Sequence, residues 1–146
     1  MSVATRAALL PGTDLGRDST ERGQFRAREL SATTVLITAV GEIDAANSGE
    51  LLRFVEKLLA DYDQLVLDLS QLGFFATDGY SALHSIDTRC KRRGIDWVVV
   101  PGAEVMRVLR VCDPEGLLNT AGNIVSAVAA LARGPHTHLQ LARAVK

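Results

Sequence analysis

Few side chains in this sequence have the types and spacing that chemistry requires. Thr77 and Asp78 sit at the start of a helical pattern, where a hydroxyl and a carboxylate meet unsatisfied backbone N–H groups and a partial positive charge. By residue type alone they read as helix caps. Asp44, Asp68 and Asp78 all fall near strand ends, a spacing that could form a magnesium pocket; no Lys follows the last strand to complete it. Cys90 and Cys112 fall in two different helical patterns. They read as small core residues, or as a redox pair if their Cα atoms come within about 7 Å. His136 and His138 form a His-x-His without a third ligand, which is poor support for zinc. His84 has no acid or nucleophile in register. No phosphate-cradling Gly-x-x-x-x-Gly-Lys, Gly-x-Ser-x-Gly elbow or Cys-x-x-Cys occurs. No cofactor or metal is expected from these residues, and no acid–base pair or nucleophile marks an enzyme.

The elements that must position these groups follow from periodicity. Residues 1–23 carry Pro11, Gly12, Gly16 and Gly23 among scattered charges and read as a flexible extension. Gln24–Arg28 is predicted as a short strand and Thr33–Val40, rich in β-branched residues, as a second. Gly41-Glu42-Ile43-Asp44 breaks the run. Asn47 and Glu50 have capping-box spacing before Leu51, Phe54, Val55, Leu58 and Leu59, which recur at helical intervals. Gln64–Leu69 reads as a buried strand and Gln71–Ala76 as a loop. A second helix from Thr77 or Asp78 carries Leu83, Ile86 and Cys90 on one face and stops at Gly94. Ile95–Val100 is a strand, Glu104–Val111 a third helix, Asp113–Gly122 a connection and Asn123–Ala132 a fourth helix. Strand and helix alternate, so a mostly parallel sheet is expected, with the first strand pairing antiparallel at an edge.

Composition narrows the function classes. The chain has 146 residues, enough for one domain, with 47 % hydrophobic and 23 % charged residues. A net charge of −1 offers no basic excess for a phosphate backbone, so nucleic acid is not an expected partner. Apolar runs such as Ile124–Ala132 are far shorter than the ~20 residues of a membrane span, and Met1–Leu10 is too short an apolar run for a signal peptide. A cytoplasmic protein without membrane partners is expected.

Three segments together resemble the STAS family of sulfate-transporter and anti-sigma-factor-antagonist domains. Gly41-Glu42-Ile43-Asp44 resembles the family's Gly-Glu-Leu-Asp turn. Val66–Ser70 followed by Phe74-Phe75-Ala76-Thr77-Asp78-Gly79 resembles the strand, loop and helix start that hold Asp-Ser-Ser-Gly. Val98–Pro101, then Val105, Val108, Leu109 and Gly116-Leu117-Leu118, resembles the last strand and third helix. The resemblance spans residues 24–132, leaving 1–23 as an extension and 133–146 as a tail. It implies an α/β fold: a mixed four- to five-stranded sheet with an antiparallel edge strand and four helices. It also implies a non-enzymatic bacterial regulator of stress transcription, an anti-sigma factor antagonist, whose partner is an anti-sigma factor of the serine/threonine kinase type. In such regulators phosphorylation at the start of the second helix ends the contact. Thr77 falls on the phosphorylated position, with Ala76 in place of Asp before it and Asp78 in place of the second Ser. Asp78 reads either as a cap or as a partial imitation of the modified state. The implied contact surface comprises Asp44, Phe75, Ala76, Thr77, Asp78, Gly79 and Tyr80. Of Phe74 and Phe75, one is expected in the core and the other is open to a role as interface anchor. A monomer or weak homodimer is expected. Two alternatives stand beside this reading: a STAS sensor or scaffold module responding to a small ligand or redox state, and a small α/β enzyme.

Overall fold

The computed structural model describes residues 13–133. Five strands form one sheet in the order β1-β2-β3-β4-β5: β1 Thr13–Ser19, β2 Gly23–Glu29, β3 Thr34–Ile43, β4 Gln64–Phe75 and β5 Asp96–Val100. The first two pairings are antiparallel and the last two parallel. Helix α1 (Ser48–Leu59) joins β3 to β4, and α2 (Thr77–Arg93) joins β4 to β5. Helices α3 (Gly102–Cys112) and α4 (Ile124–Ala132) follow. This is the mixed sheet with four helices that the sequence implied.

Strand alternation divides the sheet into two unlike faces. On one face Phe25, Ala27, Val35, Ile37, Leu65, Leu67, Trp97 and Val99 pack with Leu51 and Val55 of α1, Leu83, Ile86 and Cys90 of α2, and Val105 and Leu109 of α3. On the other, Leu36, Val66, Val98 and Val100 are covered by Ala127 and Leu131 of α4. One nine-residue helix cannot cover five strands, so among the described residues no helix lies over the β1–β2 side of this second face.

Three expectations are corrected. First, the extension reading of residues 1–23 fails from Thr13 onward: Thr13–Ser19 is an edge strand in antiparallel register with β2. All seven residues are exposed, so the strand has no apolar alternation and is held by its backbone ladder. The antiparallel partner of β3 is therefore an inner strand. Second, Gly41–Ile43 continues β3, and Gln71–Phe75, expected as a loop, continues β4. Two register shifts, between Thr38 and Val40 and between Gly41 and Glu42, each give β4 one extra residue against β3. Leu69, Leu72 and Phe75 all turn into the core as a result, at a spacing of three instead of two. Third, Asn47 precedes α1 without making the capping-box hydrogen bond. Gly94 does end α2 in the left-handed conformation. The connection after α3 adds one parallel bridge, Val99 to Thr120, at the β5 edge. Residues 1–12 and 134–146, including His136 and His138, lie outside the described residues.

Candidate functional site

The surface around the start of α2 is assembled from four chain segments. The bulged end of β4 delivers Phe75 to the core, only 4 % exposed, while its neighbour Phe74 is 44 % exposed. The Phe75 ring lies against Gly79: a Cβ there would sit 2.4 Å from the ring. Only glycine lets the first turn of α2 settle onto that ring. Phe75 and the buried Gly79 therefore support the surface from beneath, and the aromatic side chain open to a partner is Phe74. This corrects the assignment of Phe75 as a contact residue.

Ala76 occupies the cap position in extended conformation and supplies no side-chain hydrogen bond. Its N–H donates to the Ile43 carbonyl at 2.9 Å, which fastens the helix start to the end of β3. Thr77 and Asp78 are the first two helical residues, and both are exposed. Neither side chain has a hydrogen-bond or ion-pair partner among the described residues. The capping reading of Thr77 and Asp78 is thus set aside. What remains is a free hydroxyl and a free carboxylate at the positive end of a 17-residue helix.

Asp44 faces inward to its own loop. Its Oδ1 accepts from the N–H groups of Ala46 at 2.9 Å and Asn47 at 3.3 Å, and Arg22 Nη1 lies 3.6 Å from its Oδ2. Asn47, 3 % exposed, accepts from the Asp44 N–H at 2.9 Å. Its amide donates to the Glu42 carbonyl at 2.8 Å and to Thr20 Oγ1 at 3.1 Å. These bonds occupy the Asn47 side chain, which is why it does not cap α1. Gly41 turns at φ 95°, where the Arg22 carbonyl would lie 2.4 Å from any Cβ. The Gly-Glu-Ile-Asp segment is thereby a knot joining the β1–β2 turn, the end of β3 and the start of α1.

Tyr80 is half-buried, stacks on His84 at 6.4 Å between ring centroids, and has its hydroxyl pKa raised by burial and then by Asp113 and Cys112. The end of α3 therefore borders the same surface. Asp113, 8 % exposed, accepts from the N–H groups of Leu117 at 2.9 Å and Leu118 at 3.1 Å. Sequence reasoning read this residue only as part of a connection. The Asx-like Asp-Pro after a helix was the available signal.

The other candidate groups do not converge. Asp68, 2 % exposed, accepts from Ser70 and faces the sheet surface away from α2. Among the described residues no group of three or more His, Cys, Asp and Glu could hold a metal ion. Both cysteines are free. Cys90 is fully buried, and burial followed by Asp87 pushes its thiol up to about 12. Its charged neighbours are Asp87, Arg93 and Asp96, whereas Cys112 is felt at Tyr80. Cys90 is a core thiol and Cys112 a half-exposed one. No helix among the described residues is long and apolar enough to cross a membrane.

Comparison with known proteins agrees with this geometry. Residues 25–127 match the model of the STAS domain. Osmosensory protein A of Mycobacterium tuberculosis is 36 % identical over 86 residues, which span 59 % of this chain and 54 % of that protein. The chain thus spans about half the length of this curated relative. An anti-sigma factor antagonist from Mycobacterium paratuberculosis superposes with a TM-score of 0.66 at 17 % identity, covering 77 % of this chain and 97 % of that one. The unphosphorylated anti-sigma factor antagonist SpoIIAA gives 0.64 at 12 % identity, with 75 % and 97 % covered. SLC26A9 gives 0.61 at 17 % identity, covering 91 % of this chain and 27 % of that one. The sheet order, the bulged strand that feeds the second helix and the match over residues 25–127 lead to one identification: this chain belongs to the STAS domain family.

Proposed function

We propose that this STAS domain is a cytoplasmic anti-sigma factor antagonist: it docks on an anti-sigma factor of the serine/threonine kinase type and so releases sigma factor. The observation that carries the reading is the exposed, unbonded Thr77 hydroxyl at the first residue of α2, with the exposed Phe74 close by in sequence. Two of the solved structures that share its fold bear the name anti-sigma factor antagonist.

The chemistry is done to this protein by its partner, which supplies the ATP. A phosphoryl group on Thr77 adds roughly −1.5 to −2 charges at pH 7. Within a packed contact that charge must be desolvated beside Asp78, and a loss of about 3 kcal/mol weakens binding more than a hundredfold. In the free protein the N-terminal dipole of α2 offsets the same charge. Asp78 places one permanent negative charge next to the acceptor, which makes the unmodified surface a partial copy of the modified one. The switch needs no change of fold.

Incubation with candidate anti-sigma kinases and ATP, followed by mass spectrometry, tests the site. Phosphate is expected on Thr77. Phosphate found only on Ser81 or Ser85 overturns the assignment.

A further inference from the structure

The side of the second sheet face that no described helix covers contains a cavity of about 270 Å³ that the proposed docking surface does not use. It lies over β1, β2, β3 and β4, beside Ile124 at the start of α4. Strand register explains its chemistry. Arg17 of β1 pairs with Arg26 of β2, Arg26 with Thr38 of β3, and Thr38 with Asp68 of β4. Directly paired residues share a face, so these four form one transverse row, and all four line the cavity. The adjacent row, Gln24, Val40 and Gln71, lines it too.

The row is electrically lopsided. Two guanidinium groups, those of Arg17 and Arg26, line the cavity against one carboxylate. Among the described residues no acid forms an ion pair with Arg17 or Arg26. The Asp68 carboxylate is engaged by Ser70, whose N–H and Oγ–H donate to its Oδ1 at 3.0 and 2.6 Å. Arg26 Nε is buried without any hydrogen-bond partner, and it is the one such side-chain nitrogen or oxygen among the described residues. Buried polar groups are nearly always satisfied, and a buried cationic donor left alone costs more than a neutral one. An anion is the acceptor that would both accept from this donor and offset the guanidinium charge.

The remaining walls define its body. Leu36, Val40 and Ile124 give the cavity an apolar lining, and Asp68 across the row disfavours a ligand with several negative charges. We infer that this cavity binds a small organic monocarboxylate, its carboxylate held by Arg26 and Arg17 and its short apolar body resting on Leu36, Val40 and Ile124. A planar carboxylate suits the fork of a guanidinium, and a few convergent polar groups over apolar walls are the usual make-up of a small-molecule site. The inference is independent of Thr77, which lies at the end of a helix packed on the opposite face.

Proton–nitrogen correlation spectra recorded during titration of the full chain test it, with hexanoate, acetate, hexanamide and inorganic phosphate as probes. Hexanoate is expected to give saturable shifts at the amides of Arg26, Thr38 and Gln71, acetate weaker ones, and hexanamide none. Arg26→Gln should weaken hexanoate binding at least about tenfold while the rest of the spectrum stays in place. Val40→Phe, which fills the cavity from its apolar side, should abolish the shifts in a folded protein. The inference is overturned by any of four results: no saturable shift with hexanoate; an equal response to hexanamide, meaning an apolar crevice only; an equal response to phosphate, meaning an anion site only; or full binding retained by folded Arg26→Gln or Val40→Phe.

Discussion

Replacing Gly79 by alanine tests whether Phe75 supports the α2 start from below. A Cβ at position 79 would lie 2.4, 2.5 and 3.0 Å from Cε1, Cζ and Cδ1 of the Phe75 ring. Carbon atoms in contact sit about 3.5–4.0 Å apart, so the overlap exceeds one ångström at the nearest atom. The ring is 4 % exposed and belongs to the main core, so it cannot swing out to solvent. Overpacking of this kind costs about 1–3 kcal/mol, against which alanine returns up to about 1 kcal/mol of helix propensity. Gly79→Ala should therefore destabilise the protein by about 1–2 kcal/mol in urea unfolding, with an unchanged m-value. Phe75→Leu removes the clashing ring edge. In that background Gly79→Ala should become neutral or mildly stabilising, a coupling of about 1–3 kcal/mol between the two sites. If Gly79→Ala instead stabilises the parent protein by about 1 kcal/mol, or if the two changes simply add, the ring does not lie under the first turn and the account of this surface fails.

Asn47→Ala removes the acceptor of the Asp44 N–H and a donor to the Glu42 carbonyl, and should cost about 2–4 kcal/mol of stability by the same assay. Phe74→Ala should leave stability within about 0.5 kcal/mol yet weaken capture of an anti-sigma factor by about fivefold or more; unchanged binding would remove Phe74 from the contact. The Tyr62 hydroxyl, raised to about 12 chiefly by its hydrogen bond to Glu29, and the Cys90 thiol, raised to about 12 by burial, both stabilise the fold in their neutral forms. Their contribution is complete below the unfolded-state values of 10.0 and 9.0 and is lost as pH rises toward 12, so the urea midpoint should fall across pH 9–12 and fall less steeply in Tyr62→Phe. A midpoint that is flat or rising over that range contradicts this.

Much of this architecture was legible in the sequence because each inner element buries a patterned face. Val35, Ile37, Leu65 and Leu67 announce half of two strands, and Leu83, Ile86 and Cys90 announce the inner side of α2. Gly94 marks its end through the one backbone conformation that suits glycine best. What escaped sequence reasoning has physical reasons. Strand β1 is exposed at every residue, so nothing in its side chains records the backbone ladder that holds it. The end of β4 carries two bulges, and these replace the period of two by a spacing of three that reads as a loop. Asn47 and Glu50 have the spacing of a capping box, but a tertiary partner, the Asp44 N–H, takes the Asn47 oxygen first. At the candidate site, residue types placed Thr77 and Asp78 at a helix start but could not show that both side chains stand unbonded. Nor could they decide between Phe74 and Phe75, since that choice rests on the second bulge. The arginines of the second face are far apart in sequence pattern terms, and only the register of four strands brings Arg17, Arg26 and Asp68 into one row.

The affinity of an anti-sigma factor for the protein before and after stoichiometric phosphorylation of Thr77, measured by calorimetric titration, bears most directly on the docking mechanism. Binding by the unmodified chain, with a loss of about a hundredfold or more on modification and an unchanged circular dichroism spectrum, is the predicted outcome. Equal affinity in the two states would show that charge at this helix tip does not govern the partner's grip.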